Sequence, residues 1–272
     1  MSMAATPVRR VRETLDPSVP ALVHPEWAEA LPWVVQGTTT RGGGSVPFDL
    51  GLFSDGSHPR AVRAHWDHLL GVTGMRAAVH ARQVHGADVR RHGGSSDTGA
   101  SRPTGRLAPA SAASGLEIVG DCDGHTTSEP GLLLAVSAAD CVPIFVVAPA
   151  GRQVAVLHAG WRGVAAGMLE RGLQAITAGD RPGRLLVHLG PAICGACYEV
   201  GPEVFESLGL PRPERPTPLD LRGVLAERAL GAGVHATRIT VSEHCTRCTG
   251  SGLFSHRGGD RGRQVGYLGI RP

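Results

Sequence analysis

Residues 132–163 read LLLAVSAADCVPIFVVAPAGRQVAVLHAGWRG and contain three runs of aliphatic and β-branched residues, at 132–137, 143–148 and 153–157. Short apolar runs of this kind predict buried β-strands. Directly afterwards, the apolar residues of 164–176 recur with the spacing of an amphipathic helix. Strands followed by a helix in this order indicate a sheet covered by helices, which is an α/β or α+β fold.

The same pattern extends in both directions along the chain. Strands are predicted at 33–40, 76–84, 184–189 and 238–242, and helices at 59–70 and 219–230. Because strands and helices mix without strict alternation, we expect one α/β (α+β) domain with layered mixed β-sheets and flanking helices. Residues 1–30 are expected to form a variable, partly disordered lead-in to this domain of residues 31–272. Small and polar residues at 93–115 predict a flexible loop.

Composition excludes several classes of function. No apolar stretch approaches the ~20 residues of a membrane span, and the N-terminus lacks the pattern of a secretory signal. We therefore expect a cytoplasmic protein without membrane contacts, whose six cysteines are free thiols or metal ligands. All 27 basic residues are arginine, so a Schiff-base or P-loop lysine is excluded. A net charge of +3 does not favour nucleic-acid binding.

Three short motifs supply potential metal ligands. They are QVHG at 83–86, AADC at 138–141 and HAGWRG at 158–163. Each follows or closes an apolar run, so His85, Cys141 and His158 are expected to converge where strands end. Two imidazoles and one thiolate suit a tetrahedral zinc ion whose fourth position is open, which is typical of a catalytic site. The alternative is that each is an ordinary buried side chain, since their separations match no local metal motif.

A second set of cysteines forms two C-x-x-C pairs, Cys194 with Cys197 and Cys245 with Cys248. Two such pairs are formally the pattern of a four-thiolate zinc site. However, the gap between the pairs exceeds that of a typical zinc ribbon and contains a predicted helix and strand. Buried or incidental thiols are therefore favoured over a structural zinc ion.

Seven motifs in order along the chain carry a family resemblance: QVHGADV (83–89), DGHTT (123–127), ADCVPI (139–144), HAGWRG (158–163), GPAI (190–193), CYEVG (197–201) and FSHR (254–257). Together they resemble the YfiH-type family, once called laccase-domain or polyphenol oxidase proteins and reassigned as purine nucleoside phosphorylases. The resemblance covers about residues 33–270. It implies that His85, Cys141 and His158 bind a catalytic zinc ion.

The resemblance also implies an activity, namely phosphorolysis of adenosine, inosine and 5′-methylthioadenosine together with deamination of adenosine. Deamination needs a carboxylate that moves a proton, and the motifs suggest Asp123 or Asp140, although Asp140 is equally suited to a turn. Phosphate needs cationic partners, for which Arg41, Arg162 and Arg257 are best placed by motif. The implied partners are purine nucleosides and phosphate, and the expected assembly is a monomer or a small homo-oligomer.

Three other functions stay open at this point. A copper-dependent polyphenol oxidase would use closely spaced histidine pairs, and the chain contains no H-x-H. A metal-free cysteine hydrolase, such as a peptidoglycan-editing amidase, would use Cys141 as nucleophile and His85 or His158 as base. A non-enzymatic protein stabilised by zinc would need a closed site with four ligands.

Overall fold

A computed structural model describes residues 8–54, 58–93, 115–176 and 181–272. The expected flexible loop at 93–115 lies, except for its two end residues, outside the described residues. The helices are α1 (Pro25–Ala30), α2 (Pro59–Thr73), α3 (Trp161–Ala165), α4 (Met168–Ile176), α5 (Pro202–Ser207) and α6 (Leu221–Gly231). The strands are β1 (Arg9–Val11), β2 (Thr14–Asp16), β3 (Ala21–Val23), β4 (Val34–Thr39), β5 (Ala77–Arg82), β6 (Val89–His92), β7 (Leu116–Asp121), β8 (Gly124–Thr127), β9 (Leu132–Ala138), β10 (Val142–Ala148), β11 (Gln153–Ala159), β12 (Leu186–Leu189), β13 (Glu199–Val200), β14 (Thr217–Pro218), β15 (Ile239–Ser242) and β16 (Gln264–Ile270).

Two seven-stranded mixed sheets dominate the described part of the chain. The first sheet has the order β1-β15-β12-β10-β11-β8-β6, and the second has the order β2-β3-β4-β16-β9-β5-β7. The opening stretch of sequence joins them, because β9 lies in the second sheet and the next strand, β10, lies in the first. Strands β10 and β11 then form an antiparallel hairpin in which Val142 pairs with Ala159.

Alternate residues of this hairpin serve two separate cores. Phe145 and Val156 pack in a cluster with Leu268 of the second sheet. Ile144 and Leu157, which point the opposite way, pack in a cluster with residues of α4 and α6. Both faces of the hairpin are therefore buried, which explains why its sequence is continuously apolar rather than alternating. The expected single domain with layered mixed sheets and flanking helices is confirmed.

Helix α2 covers the outer face of the second sheet. Its buried residues Trp66 and Leu69 belong to a cluster with Ala78 of β5 and Leu133 of β9. The helix ends at Thr73 and is capped by Gly74, whose φ of +69° is in the left-handed region that glycine adopts without steric cost. No helix among the described residues has the length and apolar character that a membrane crossing requires.

Two expectations from the sequence are corrected here. The single helix expected at 164–176 is two helices, α3 and α4, because Gly167 between them has a φ of +83° and interrupts the helical backbone. The described part of the expected lead-in, residues 8–30, is ordered: β1 joins the first sheet, and β2 and β3 join the second. Glu13 is buried and accepts hydrogen bonds from His188 Nε2 (3.0 Å) and Ser242 Oγ (2.9 Å).

Candidate metal centre

The three-ligand cluster, which consists of His85, Cys141 and His158, forms where the two sheets meet. His85 follows β5 of the second sheet, His158 lies near the end of β11 in the first, and Cys141 lies in the connection from β9 to β10. Their potential ligand atoms all lie within 4.8 Å of one another. Residues 56 and 17 positions apart in the sequence are thus brought together by strand ends, as expected.

Because Gly160 has no side chain, the three ligands have room to approach one another. A Cβ atom at position 160 would lie 2.9 Å from Cys141 Sγ and 3.1 Å from His85 Cδ2, closer than side chains normally pack. The ring centroids of His85 and His158 are 4.9 Å apart in an edge-to-face arrangement. Atoms that bind one zinc ion lie about 3.3–3.8 Å apart. The two imidazoles and the thiolate therefore fit a zinc ion after only small side-chain movements.

Asp123 holds two members of the cluster in place. Its buried carboxylate accepts hydrogen bonds from the backbone N–H groups of Val84 (3.2 Å), His85 (2.9 Å) and Gly86 (2.8 Å). These bonds support the left-handed backbone of His85, whose φ is +59°. The carboxylate also lies 2.9 Å from His158 Nδ1, which leaves Nε2 of that ring for a metal. A carboxylate paired with a ligating histidine in this way orients the ring and fixes its tautomer.

Asp140, the other carboxylate that the motifs suggest, positions the turn that contains Cys141, the third ligand. It precedes Cys141 and has a φ of +90°, which is unusual for a residue with a side chain. Its Oδ1 accepts a hydrogen bond from Thr246 Oγ1 (2.5 Å), and its Oδ2 accepts one from the N–H of Arg257 (2.7 Å). Asp140 therefore ties the turn that presents Cys141 to two other loops.

The charges of the cluster favour metal binding. Burial alone raises the pKa of Cys141, but the adjacent His158 and His85 outweigh it and lower that pKa to about 6. Burial alone lowers the pKa of His158, but Cys141 and Asp123 outweigh it and raise that pKa to about 9. The thiol is thus a thiolate at neutral pH, the form that binds zinc, and a metal ion has to displace the proton of His158.

A cavity of about 300 Å³ opens beside the three-ligand cluster, which forms part of its wall. Its volume is at the lower end of small-molecule sites. Beyond the cluster, polar side chains of His80, Gln83, Arg82, His256 and Arg263 line it. No carboxylate is among the described lining residues.

His80 contributes a neutral ring to this wall. It is buried, its Nε2 lies 2.8 Å from Ser137 Oγ, and burial lowers its pKa to about 4. The ring therefore contributes an uncharged surface to the wall, and its Nε2 is used within the chain.

The three arginines suggested by the motifs have other partners. The Arg41 guanidinium pairs with Asp260 and donates from Nε to the carbonyl of Leu253 (2.9 Å). The Arg162 guanidinium lies over the ring of Trp161, 4.3 Å from its centroid, and the Arg257 guanidinium lies over the ring of Tyr198, 5.1 Å from its centroid. None of the three lines the described cavity. Their role in binding phosphate stays a prediction.

Two arginines that sequence reasoning missed do line the cavity. Arg82 ends β5 and forms an ion pair with Asp121. Its position just before the QVHG motif was a usable signal. Arg263 precedes β16 and directs Nη1 to carbonyls of its own loop, including that of Gly262 at 2.8 Å. Nothing in its local sequence marks it, because only the pairing of β16 with β4 and β9 brings it to the cavity.

The structure also brings together the two C-x-x-C pairs. The sulfur atoms of this four-cysteine cluster all lie within 4.8 Å of one another; its members are Cys194, Cys197, Cys245 and Cys248. They are separate from the three-ligand cluster, as expected. Their close approach does not fit the expectation that they are incidental thiols.

Comparison with known proteins identifies the family. The sequence model of the family described as multi-copper polyphenol oxidoreductase laccase matches residues 35–271. The chain belongs to this family. Crystallographic coordinates of the Bacillus licheniformis protein YfiH superpose with a TM-score of 0.79 at 26% identity, over 95% of this chain and 99% of that one. The resemblance to YfiH-type proteins is thus confirmed.

Curated relatives of the chain carry names that describe an activity. Purine nucleoside phosphorylase YlmD of Geobacillus stearothermophilus is 38% identical over 209 residues, which are 71% of this chain and 72% of the relative. Adenosine deaminase RL5, from an unknown prokaryotic organism, is 34% identical over 147 residues, 50% of this chain and 56% of the relative. The chain is therefore similar to purine nucleoside phosphorylases and to one adenosine deaminase.

Proposed function

We propose that this protein is a zinc-dependent purine nucleoside phosphorylase that acts on adenosine, inosine and 5′-methylthioadenosine and also deaminates adenosine. The observation that carries the proposal is the three-ligand cluster in the wall of a small-molecule cavity. The names of the relatives supply the substrate class, purine nucleosides with phosphate. The chain is, in this proposal, a glycosyltransferase with a hydrolytic side reaction.

The metal ligands in this proposal are His85, Cys141 and His158. A zinc ion held by three protein ligands supplies a Lewis acid with an open position. Asp123 acts as a positioning residue, because its four hydrogen bonds are all made to the chain and it is fully buried. This replaces the proton-transfer role expected from its motif. Asp140 holds Cys141 in the same indirect manner.

The remaining cavity wall suits a nucleoside and an anion. The amide of Gln83 pairs with the backbone of Ser137 and retains one further N–H to donate to a purine or ribose. The guanidinium group of Arg263 supplies positive charge, which phosphate needs for binding, whereas the charge of Arg82 is partly balanced by its ion pair with Asp121. During phosphorolysis the phosphate oxygen bonds to the ribose C1′ as the bond from C1′ to the purine nitrogen breaks. An arginine next to the attacking phosphate keeps it in place for this displacement.

Activity and metal content together test the proposal. Purified protein is assayed for purine base release from adenosine, inosine and 5′-methylthioadenosine, with and without phosphate, and for ammonia release from adenosine. We expect base release that depends on phosphate and a zinc ion bound by the three-ligand cluster. Cys141→Ala should lose that zinc ion and both activities. A Cys141→Ala protein with normal zinc content and turnover would contradict the assignment.

The same samples separate the two competing enzymes. Copper at this cluster together with oxidation of phenols would instead support the activity named in the family description. Activity that survives chelation but is lost on thiol alkylation would support a metal-free cysteine hydrolase.

A further inference from the structure

The four-cysteine cluster has the dimensions of a zinc site. Four sulfur ligands at about 2.3 Å in a tetrahedron lie about 3.8 Å from one another. In the structure, Cys248 Sγ lies 3.8 Å from Cys197 Sγ and 4.0 Å from Cys194 Sγ. These distances are far longer than the bond of about 2.05 Å in a disulfide, and all six cysteines of the chain are free.

The backbone around the cluster is arranged as in a metal-binding turn. Cys194 precedes a 3₁₀ turn that ends at Cys197, and the N–H of Cys197 donates to the carbonyl of Cys194 (3.0 Å). The N–H of Cys194 donates to Cys245 Sγ (3.2 Å), so a backbone dipole already faces one sulfur. Ala192 forms a parallel bridge with Cys245, which fixes the two cysteine pairs against each other. Backbone pairing thus aligns the sulfurs without relying on a bond between them.

Positive charge lies next to the cluster. Four thiolates around one Zn²⁺ carry a net charge of −2, which is costly near a protein interior without nearby cations. Arg222 is buried, and its Nη1 donates to the carbonyls of Ser242 (2.7 Å) and His244 (2.8 Å), directly before the second pair. Arg247, between the cysteines of that pair, donates from Nη1 to the carbonyl of Cys197 (3.0 Å). These guanidinium groups suit an anionic zinc–thiolate centre.

From these contacts we propose that the four-cysteine cluster binds a second zinc ion with a structural role. All four thiols lose their protons on binding, and no position is left open for a substrate, which is typical of structural rather than catalytic zinc. The ion joins the loop after β12 to the loop after β15. The second loop includes Thr246, whose hydroxyl holds the carboxylate of Asp140 beside Cys141. Through this hydrogen bond, the structural zinc stabilises the turn that presents Cys141 to the three-ligand cluster.

Zinc counting on the full-length chain and its variants tests this inference. We expect two zinc ions per wild-type chain and one in Cys141→Ser. We expect one in Cys197→Ser/Cys248→Ser, which leaves only two thiolates at the second cluster, and almost none when all three substitutions are combined. Cys122→Ala is the matched control, because Cys122 is the sixth cysteine and belongs to neither cluster; it should keep two. Cobalt substitution adds a spectroscopic readout, since the Cys141→Ser variant should still show strong thiolate-to-cobalt charge transfer.

The Cys141→Ser variant decides the question, because it leaves the four-cysteine cluster intact whether or not the first centre binds metal. A folded Cys141→Ser protein that holds no zinc after growth in zinc and shows no thiolate-to-cobalt band would overturn the proposal. So would loss of the four thiols as two disulfides in freshly purified protein, measured by thiol titration, or iron in place of zinc at this site.

Discussion

Replacing Asp123 by asparagine should weaken the metal centre although its three ligands are unchanged. The substitution keeps the shape of the side chain but exchanges one carboxylate oxygen for an NH₂ group. Each oxygen of Asp123 accepts two hydrogen bonds: Oδ1 from the His85 N–H and His158, and Oδ2 from the N–H groups of Val84 and Gly86. An NH₂ group in place of Oδ2 faces two backbone donors, whereas in place of Oδ1 it faces only the His85 N–H, because His158 Nδ1 can accept a hydrogen bond once its proton moves to Nε2. The second orientation is therefore favoured, and it places a proton on the nitrogen that a metal would need.

The size of the effect follows from that count. A buried donor left without an acceptor costs about 1–3 kcal/mol, so the one backbone donor stranded in the favoured orientation lowers the free energy of unfolding by about 1–3 kcal/mol. This is a substantial part of the about 5–15 kcal/mol that stabilises a typical domain. Since Asp123 also orients His158, zinc affinity at the three-ligand cluster should fall about 10–100-fold.

Two measurements check this prediction. Urea unfolding of metal-depleted protein, followed by circular dichroism, gives the free energy of unfolding, and competition with a chromophoric chelator gives the zinc affinity. Asp88→Asn is the matched control, since this nearby carboxylate is exposed and should change stability by less than ~0.5 kcal/mol. An Asp123→Asn protein within ~0.5 kcal/mol of wild type, with unchanged zinc affinity, would refute the reasoning.

Three further predictions concern space, pH and the anion site. Gly160→Ala should weaken zinc binding at the three-ligand cluster in a chelator competition, because its Cβ would lie 2.9 Å from the Cys141 sulfur; Gly71→Ala in α2, where a Cβ meets nothing within 4 Å, should not. The pKa of Glu13 is lowered, since hydrogen bonds from His188 and Ser242 outweigh its burial. Glu13→Gln should therefore cost about 1–3 kcal/mol of unfolding free energy at pH 6, and the difference from wild type should shrink as the pH falls below about 4.5 in urea titrations. Arg263→Gln should raise the KM for phosphate about 10-fold or more with little change in the KM for nucleoside. Such an effect in Arg41→Gln, with none in Arg263→Gln, would instead favour the arginine suggested by the motifs.

Local sequence patterns predicted many elements of the fold but missed others for physical reasons. The long apolar runs were recognisable because both faces of β10 and β11 are buried. Strand β8 contains the polar residues GHTT and is nonetheless fully buried between β11 and β6, so its sequence does not look like a strand. The short strands β1 to β3 are held by pairing with distant strands, and their own residues have no clear periodicity.

By itself, the sequence determined the residue types of the candidate centre. The motifs named His85, Cys141 and His158 as ligands, and their positions at the ends of apolar runs predicted that they converge. Local sequence is sufficient there because strand ends meet at a common edge of the fold. The sequence also showed two C-x-x-C pairs but did not predict that they come together, since the distance along the chain says little about the distance in space.

Only the tertiary structure decided how each remaining group is used. It places the carboxylate of Asp123 in hydrogen bonds to the His85 backbone and the His158 ring. It also brings Arg263 rather than Arg41 to the cavity wall. It also aligns the four-cysteine cluster through the bridge between Ala192 and Cys245. The physical reason is the same in each case. Burial, hydrogen-bond partners and sulfur–sulfur distances arise from contacts between segments far apart in the chain, and no local pattern encodes them.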